Sequence, residues 1–288
     1  MKKRKIHMPA FSLQLFHGLL IAFSLALFPA SPCQAHHSKK IVRIATLDNY
    51  YPYCFRITDS PRLASEIIKP GEDSSQLAGF DWDFVRTSLH NAGFTIDLRI
   101  GPWARVEHYI RNYRADIYFP AIITPNHSKE LAFSRVSMDS VNIVIYANVP
   151  LAPSEDVMKG IIGKSIGVMR DWSFGSLWEM RSDVSNHPVD SIGQAFRMLE
   201  KKRLDAVIGY EKTFDHFLAN KGKSGHYWKS TPVEILRGYV ACRASDKFGQ
   251  AVLSAFDAQA MRLIGDGTAE HMAQKWRVPV PVFFRERP

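Results

Sequence analysis

The chain has 288 residues, 46% of them hydrophobic and 23% charged, which is ordinary globular material for one large domain or two of modest size. Two lobes are the expectation. Its formal charge of +9 falls to +5 once the basic start of the chain is set aside, and no basic run with interleaved aromatics survives, which argues against a nucleic-acid partner.

Residues 1–35 divide into Lys2, Lys3, Arg4 and Lys5, the apolar run LLIAFSLALF, and the small-residue end PASPCQA. That order is the pattern of a secretory signal, with cleavage expected after Ala35. The apolar run falls well short of the ~20 residues a membrane-spanning helix needs. Cys33 invites a lipid-anchor reading, but Pro32 and Ala30 are unsuited to it. Export would place Cys54 and Cys242 in an oxidising compartment, where they either pair or stay as buried thiols; sequence leaves both open. With no CxxC and no His or Cys cluster at zinc spacing, neither metal nor cofactor is expected.

From Lys40 onward, short β-branched runs alternate with helix-like segments, the pattern of a mainly parallel sheet covered by helices. IVRIAT (41–46) reads as the first strand, followed by a long loop holding Pro52, Pro61, Pro70 and Gly71. A helix then enters near GFDWDFVRTSLHNAG (79–93), with Phe84, Val85 and Leu89 as its apolar stripe and Gly93 suited to its C-terminal cap. FTIDLRI (94–100) is a strand, and WARVEHYIRNY (103–113) a helix placing Trp103, Val106, Tyr109, Ile110 and Tyr113 on one face. Tyr109 and Tyr113 are therefore expected in the core.

A similar unit recurs. SIGQAFRMLEKKRLDAVIG (191–209) begins with Ser191 and Gln194 at capping-box spacing, and aligning Asp116 with Asp205 puts each strand directly after its acid. Both aspartates read as residues of helix-to-strand turns. SVNIVIYANV (140–149) and GYVACRAS (238–245) would be the two segments crossing between lobes, with a C-terminal helix from about Phe248 to Lys275 packing back on the first lobe. The cleft between lobes would be lined by loops at the carboxyl ends of the strands.

The succession GFDWD (79–83), AGF (92–94), PWAR (102–105), AD (115–116), TP with FS (124–125 and 133–134), KSIGV (164–168) and LDAVIG (204–209) resembles the family 3 bacterial extracellular solute-binding proteins, in a Trp-containing branch. The order and spacing of these motifs carry the resemblance, over about Lys40–Gln274. It implies an α/β, two-lobed, type II-like periplasmic-binding-protein fold, each lobe a mainly parallel sheet flanked by helices and hinged by two crossing segments. Lobe 1 would be 36–143 and 238–288, and lobe 2 would be 144–237. The implied function is capture of a small polar or aromatic, amino-acid-like solute by a monomeric periplasmic protein that delivers it to a membrane ABC permease.

The resemblance also nominates ligand-binding residues: Tyr51, Tyr53 and Phe55 in the first loop, Trp103 and Arg105, Ala121 and Thr124 after the strand, and Trp172, Ser173 and Phe174 in the second lobe. Three departures stand out. Where relatives fork an arginine onto the ligand carboxylate, this chain has His127, which offers at most one bond and is mostly neutral above its reference pKa of ~6.5. His127 reads equally as a solvated surface residue. Tyr210 stands where an acid usually receives the ligand's ammonium, with Glu211 adjacent, and Trp172 replaces a hydroxyl residue. Arg170, near a helix start, is a candidate to restore the lost positive charge.

GKS (163–165) is not a phosphate loop, because Met158 stands where that motif needs glycine. A sensory or adaptor protein and a cyclohexadienyl-dehydratase-like enzyme are the alternatives, the latter needing a general acid such as Glu107 or Glu211.

Overall fold

The computed structural model describes residues 40–124, 127–151 and 157–279, so the expected signal segment and its cleavage site lie outside the described residues. The first half contains β1 (Lys40–Leu47), β2 (Asn49–Tyr50), β3 (Cys54–Arg56), β4 (Glu66–Ile68), β5 (Leu77–Ala78), α1 (Phe80–Asn91), β6 (Phe94–Gly101), α2 (Trp103–Arg111), β7 (Ile117–Ile122), α3 (His127–Glu130) and β8 (Leu131–Ala147). Then come α4 (Val157–Gly160), β9 (Ser165–Met169), α5 (Ser176–Glu179), β10 (Ser185–Val189), α6 (Ile192–Glu200), β11 (Ala206–Tyr210), α7 (Glu211–Asn220), β12 (Trp228–Lys229), β13 (Glu234–Arg243), α8 (Lys247–Gly265) and α9 (Thr268–Trp276).

The main sheet runs β10-β9-β11-β8-β13-β7-β1-β6-β4, with β12 also on β8, while β2, β3 and β5 form a small sheet of their own. β6, β1 and β7 are parallel, and so are β10, β9 and β11. Between these triplets lie β8 and β13, antiparallel to each other and to their outer neighbours. This is the two-lobed α/β architecture: one parallel triplet per lobe, joined by two crossing strands. β8 is 17 residues long, enough to serve both lobes. Its pairing with β13 shifts register around Gly238–Ala241, midway along the crossing.

Local sequence explains how these elements start and stop. Phe80, Trp82, Phe84, Val85 and Leu89 are all fully buried, because α1 packs against β6 on one side and α8 and α9 on others. The helix ends at Ala92, and Gly93 follows at φ +81°, a left-handed position that suits glycine. In α6 the Ser191 side chain accepts the Gln194 N–H at 3.2 Å, the expected N-cap.

The repeat seen in sequence has a physical counterpart. Asp116 Oδ2 accepts the Arg43 N–H at the side of β1, and Asp205 Oδ2 accepts the Ser165 N–H at the start of β9, each at 2.8 Å. Both acids thus tie the end of a helix-to-strand turn to the neighbouring parallel strand. Asp116 adds an ion pair with the Arg43 guanidinium.

Two expectations need correction. α2 stops at Arg111, and Tyr113 lies beyond it in a left-handed conformation, φ +57°, at 64% exposure, so it is not a core residue. Its ring instead carries the Arg243 guanidinium 4.0 Å from the centroid. The C-terminal helix is two helices, because Gly267 takes φ +83° and the Asp266 carboxylate caps the Thr268 N–H at 2.9 Å. Both pack on the first lobe as expected, Asp257 accepting the Arg135 and Val136 N–H groups and Asp83 accepting from Lys275 and Trp276. Cys54 and Cys242 are both buried free thiols.

Candidate functional site

A cleft of about 260 Å³ lies between the lobes at the carboxyl ends of β1, β7, β9 and β11. From the first lobe it is faced by Leu47 at the end of β1, Tyr50 in β2, Trp103 and Glu107 on α2, and Pro120, Ile122 and Thr124 around the end of β7. From the second lobe come Asp171, Trp172, Ser173, Glu179 and Tyr210. Neither lobe makes this enclosure alone.

The aromatic wall is held rigidly. The Tyr50 and Tyr210 rings meet edge to face at 5.6 Å, and Trp172 lies 4.8 Å from Tyr210. The Tyr210 hydroxyl donates to the Ser173 carbonyl at 2.7 Å, fixing the loop after β9 to the end of β11. The Tyr50 hydroxyl donates to Asp139 at 2.9 Å on the crossing strand. Burial, then the nearby carboxylate of Asp139, keeps both phenols protonated far above the ordinary tyrosine range. Ser173 Oγ donates to Glu179 Oε1 at 2.5 Å, placing that acid at the rim.

Of the residues nominated from sequence, Trp103, Thr124, Trp172, Ser173 and Tyr210 face this cleft. The others go elsewhere. Tyr53 is buried beneath Tyr50, ring centroids 4.8 Å apart, with its hydroxyl on the Ser140 carbonyl at 3.2 Å. Tyr51 turns to a separate surface hollow, where it stacks on His216 at 3.5 Å, and Phe55 packs on Tyr51 and Trp276. Ala121 is buried in β7, and Phe174 is buried behind Tyr210 at 5.8 Å. Arg105 is exposed on α2, its Cδ against Gly101.

Arg170 is not among the residues lining this cleft: its Nε donates to Asp190 at 2.8 Å in an exposed ion pair. His127 opens α3, and its side chain lies outside the described residues. Glu211, the acid beside Tyr210, bonds to Lys229 at 2.7 Å and Asn142 at 2.8 Å. Burial raises its pKa, but those bonds and the lysine charge outweigh burial, so it sits below the usual range and is a poor general acid.

Sequence reasoning missed Tyr50, Asp171 and Glu179. Tyr50 stands first in a run of aromatics whose orientation only the folded loop fixes. Glu107 was legible as a cleft residue, since it lies four positions after Trp103 on the same helical face.

Comparison with known proteins places the chain. Residues 42–279 match the sequence profile of the bacterial extracellular solute-binding proteins, family 3. Among solved structures, a mutant of ArgBP from T. maritima is similar with a TM-score of 0.64 at 17% identity, covering 82% of this chain and 95% of that one. A histidine kinase sensor domain with similarity to periplasmic binding proteins gives 0.67 at 16% identity, covering 83% and 96%. The substrate-binding protein of an ABC uptake transporter from Streptococcus pneumoniae, with bound histidine, gives 0.63 at 18% identity, covering 82% and 92%. No curated protein matches the chain in sequence. The match over nearly the whole described chain, on a two-lobed α/β fold with a cleft between the lobes, means that this protein belongs to the bacterial extracellular solute-binding proteins, family 3.

Proposed function

We propose that this protein captures a small organic solute in the interlobe cleft and delivers it, from the periplasm, to a membrane ABC permease. The observation that carries this reading is the meeting of aromatic side chains from both lobes, Tyr50 from one and Trp172 and Tyr210 from the other, around about 260 Å³ of space. A guest there would be desolvated by closure and held by ring contacts plus a few polar groups. On this reading lobe 1 is 36–143 with 238–288, lobe 2 is 144–237, and β8 and β13 are the hinge. The mature protein would act as a monomer beginning after Ala35, a point that the mass of the exported chain checks directly.

The test is a thermal-shift and calorimetric screen of the mature protein across metabolite classes. A ligand that raises the melting temperature is expected, and Trp172→Ala should weaken it about ten- to a hundredfold, the usual worth of a well-packed aromatic anchor. Prephenate and arogenate should pass through unchanged. Turnover of either would overturn the receptor reading, as would failure of every class to bind. Delivery is tested by uptake of the labelled ligand into cells, which should fall when the chain is deleted.

A further inference from the structure

The charge around the cleft has one sign. Asp171 and Glu179 stand at its second-lobe rim and Glu107 on its first-lobe wall, and none of the described residues facing it is a lysine or an arginine. The two arginines best placed by sequence are elsewhere, Arg170 in its pair with Asp190 and Arg105 on the outer surface of α2. Glu107 shares its charge with Arg111 at 3.2 Å and Asp171 acts in part on the neighbouring Arg170, which leaves Glu179, bonded to the Ser173 hydroxyl, as the acid least compensated by a cation.

The walls match that sign. An aromatic ring presents a negative face, so Tyr50, Trp103, Trp172 and Tyr210 attract a cation and gain little from a carboxylate. After burial and the Asp139 charge, the Glu179 charge further disfavours the Tyr210 phenolate, in line with Glu179 standing close to the ring. A carboxylate entering here would meet like charge at the rim, and desolvating it without a partner would cost more than its ring contacts return. An ammonium or guanidinium meets aromatic side chains along the walls and acids at the rim.

We infer that the cleft selects a small organic cation lacking a carboxylate, such as an amine or a guanidine, over the corresponding amino acid. This rests on the receptor reading of the same cleft. Two of the three departures, at His127 and Trp172, fall on parts that hold an α-carboxylate in relatives. The third replaces the ammonium-receiving acid with Tyr210, so a cation here would rest on aromatic side chains and on Asp171 and Glu179 instead.

Matched pairs differing only by the carboxylate test it: agmatine against arginine, and phenethylamine against phenylalanine, titrated calorimetrically into the full mature protein. At least one amine is expected to bind about tenfold or more tightly than its parent, because rejecting an unpaired charge is worth at least that factor. Asp171→Asn with Glu179→Gln should weaken the amine about tenfold and flatten its salt dependence. Both substitutions leave folding intact by design: asparagine tolerates the left-handed φ of +62° at Asp171, and glutamine can still accept the Ser173 hydroxyl. If an amino acid or an anion binds more tightly than the amines, and Trp172→Ala abolishes that binding, the receptor stands and the cation inference is overturned. If the double variant leaves amine affinity unchanged, the inference also fails. If none of the probes or metabolite classes binds, both readings fail together.

Discussion

Gly79→Ala is expected to cost about 3 kcal/mol or more of stability and to lower ligand affinity with it, because two penalties coincide at one Cβ. Gly79 has φ +130°, which side chains rarely adopt. A methyl group there would overlap the Tyr53 carbonyl oxygen, lying 2.5 Å from its carbon and 2.9 Å from Cys54 N. The approach is close because the first turn of α1 grips the preceding loop: Phe80 N–H donates to the Pro52 carbonyl at 3.0 Å and Asp81 N–H to the Tyr53 carbonyl at 2.9 Å. Moving that loop moves Tyr50, the first-lobe ring of the cleft. Urea unfolding of the unliganded protein measures the cost. Gly93→Ala is the control, at φ +81° with nothing within 4 Å, and should lose only about 1 kcal/mol. Equal losses at the two positions would refute the close-approach argument.

The second large effect lies where the strands cross. Asp139 on β8 is fully buried, accepting the Gly238 N–H of β13 at 2.8 Å on one oxygen and the Tyr50 hydroxyl at 2.9 Å on the other. Asp81, equally buried, receives no N–H or O–H from the described residues, so only its own proton, donated to Asp139, can give it a hydrogen bond. Burial pushes both carboxyls up; the bonds from Asp81, Tyr50 and Gly238 offset this at Asp139, while the Asp139 charge raises Asp81 further. The pair therefore keeps one proton to a pH at which two unfolded aspartates have lost theirs.

The sign of the pH effect follows. The folded state holds more protons than the unfolded state above the ordinary aspartate pKa of ~3.9, so this pair's contribution to stability declines as pH rises from there toward the raised folded value. Asp81→Asn supplies a permanent donor in place of the proton. It should remove that decline and raise stability by about 1–2 kcal/mol at pH 8 relative to wild type, with little gain at pH 4. Asp139→Ala should do the opposite, costing about 3 kcal/mol, since it strands the Gly238 N–H and the Tyr50 hydroxyl and leaves Asp81 alone. Melting curves from pH 4 to 8 separate the cases. A stability difference between wild type and Asp81→Asn that stays constant across that range would sink the shared-proton account.

Much of this protein was decided within short stretches of its own sequence. The alternating strands and helices, the Gly93 stop and the Ser191 cap depend on interactions spanning a few residues, or on a periodicity that any copy of the segment carries, whereas the two turn aspartates were legible by position although their bonds reach Arg43 and Ser165. Periodicity failed at Tyr113 because a helix ends where its backbone can no longer continue, not where its apolar stripe does. The cleft was decided otherwise. Among three nearby tyrosines, Tyr50 faces it while Tyr53 lies under it and Tyr51 turns away, a choice made by α1 gripping the Tyr53 carbonyl and by the Thr213 hydroxyl donating to the Tyr51 carbonyl at 2.8 Å. Arg170 pairs with Asp190 outside the cleft lining, and Asp81 meets Asp139 only because α1 packs on the crossing strand β8. Side-chain partners far apart in the chain have no local signal, since their energy exists only once the sheet has brought them together.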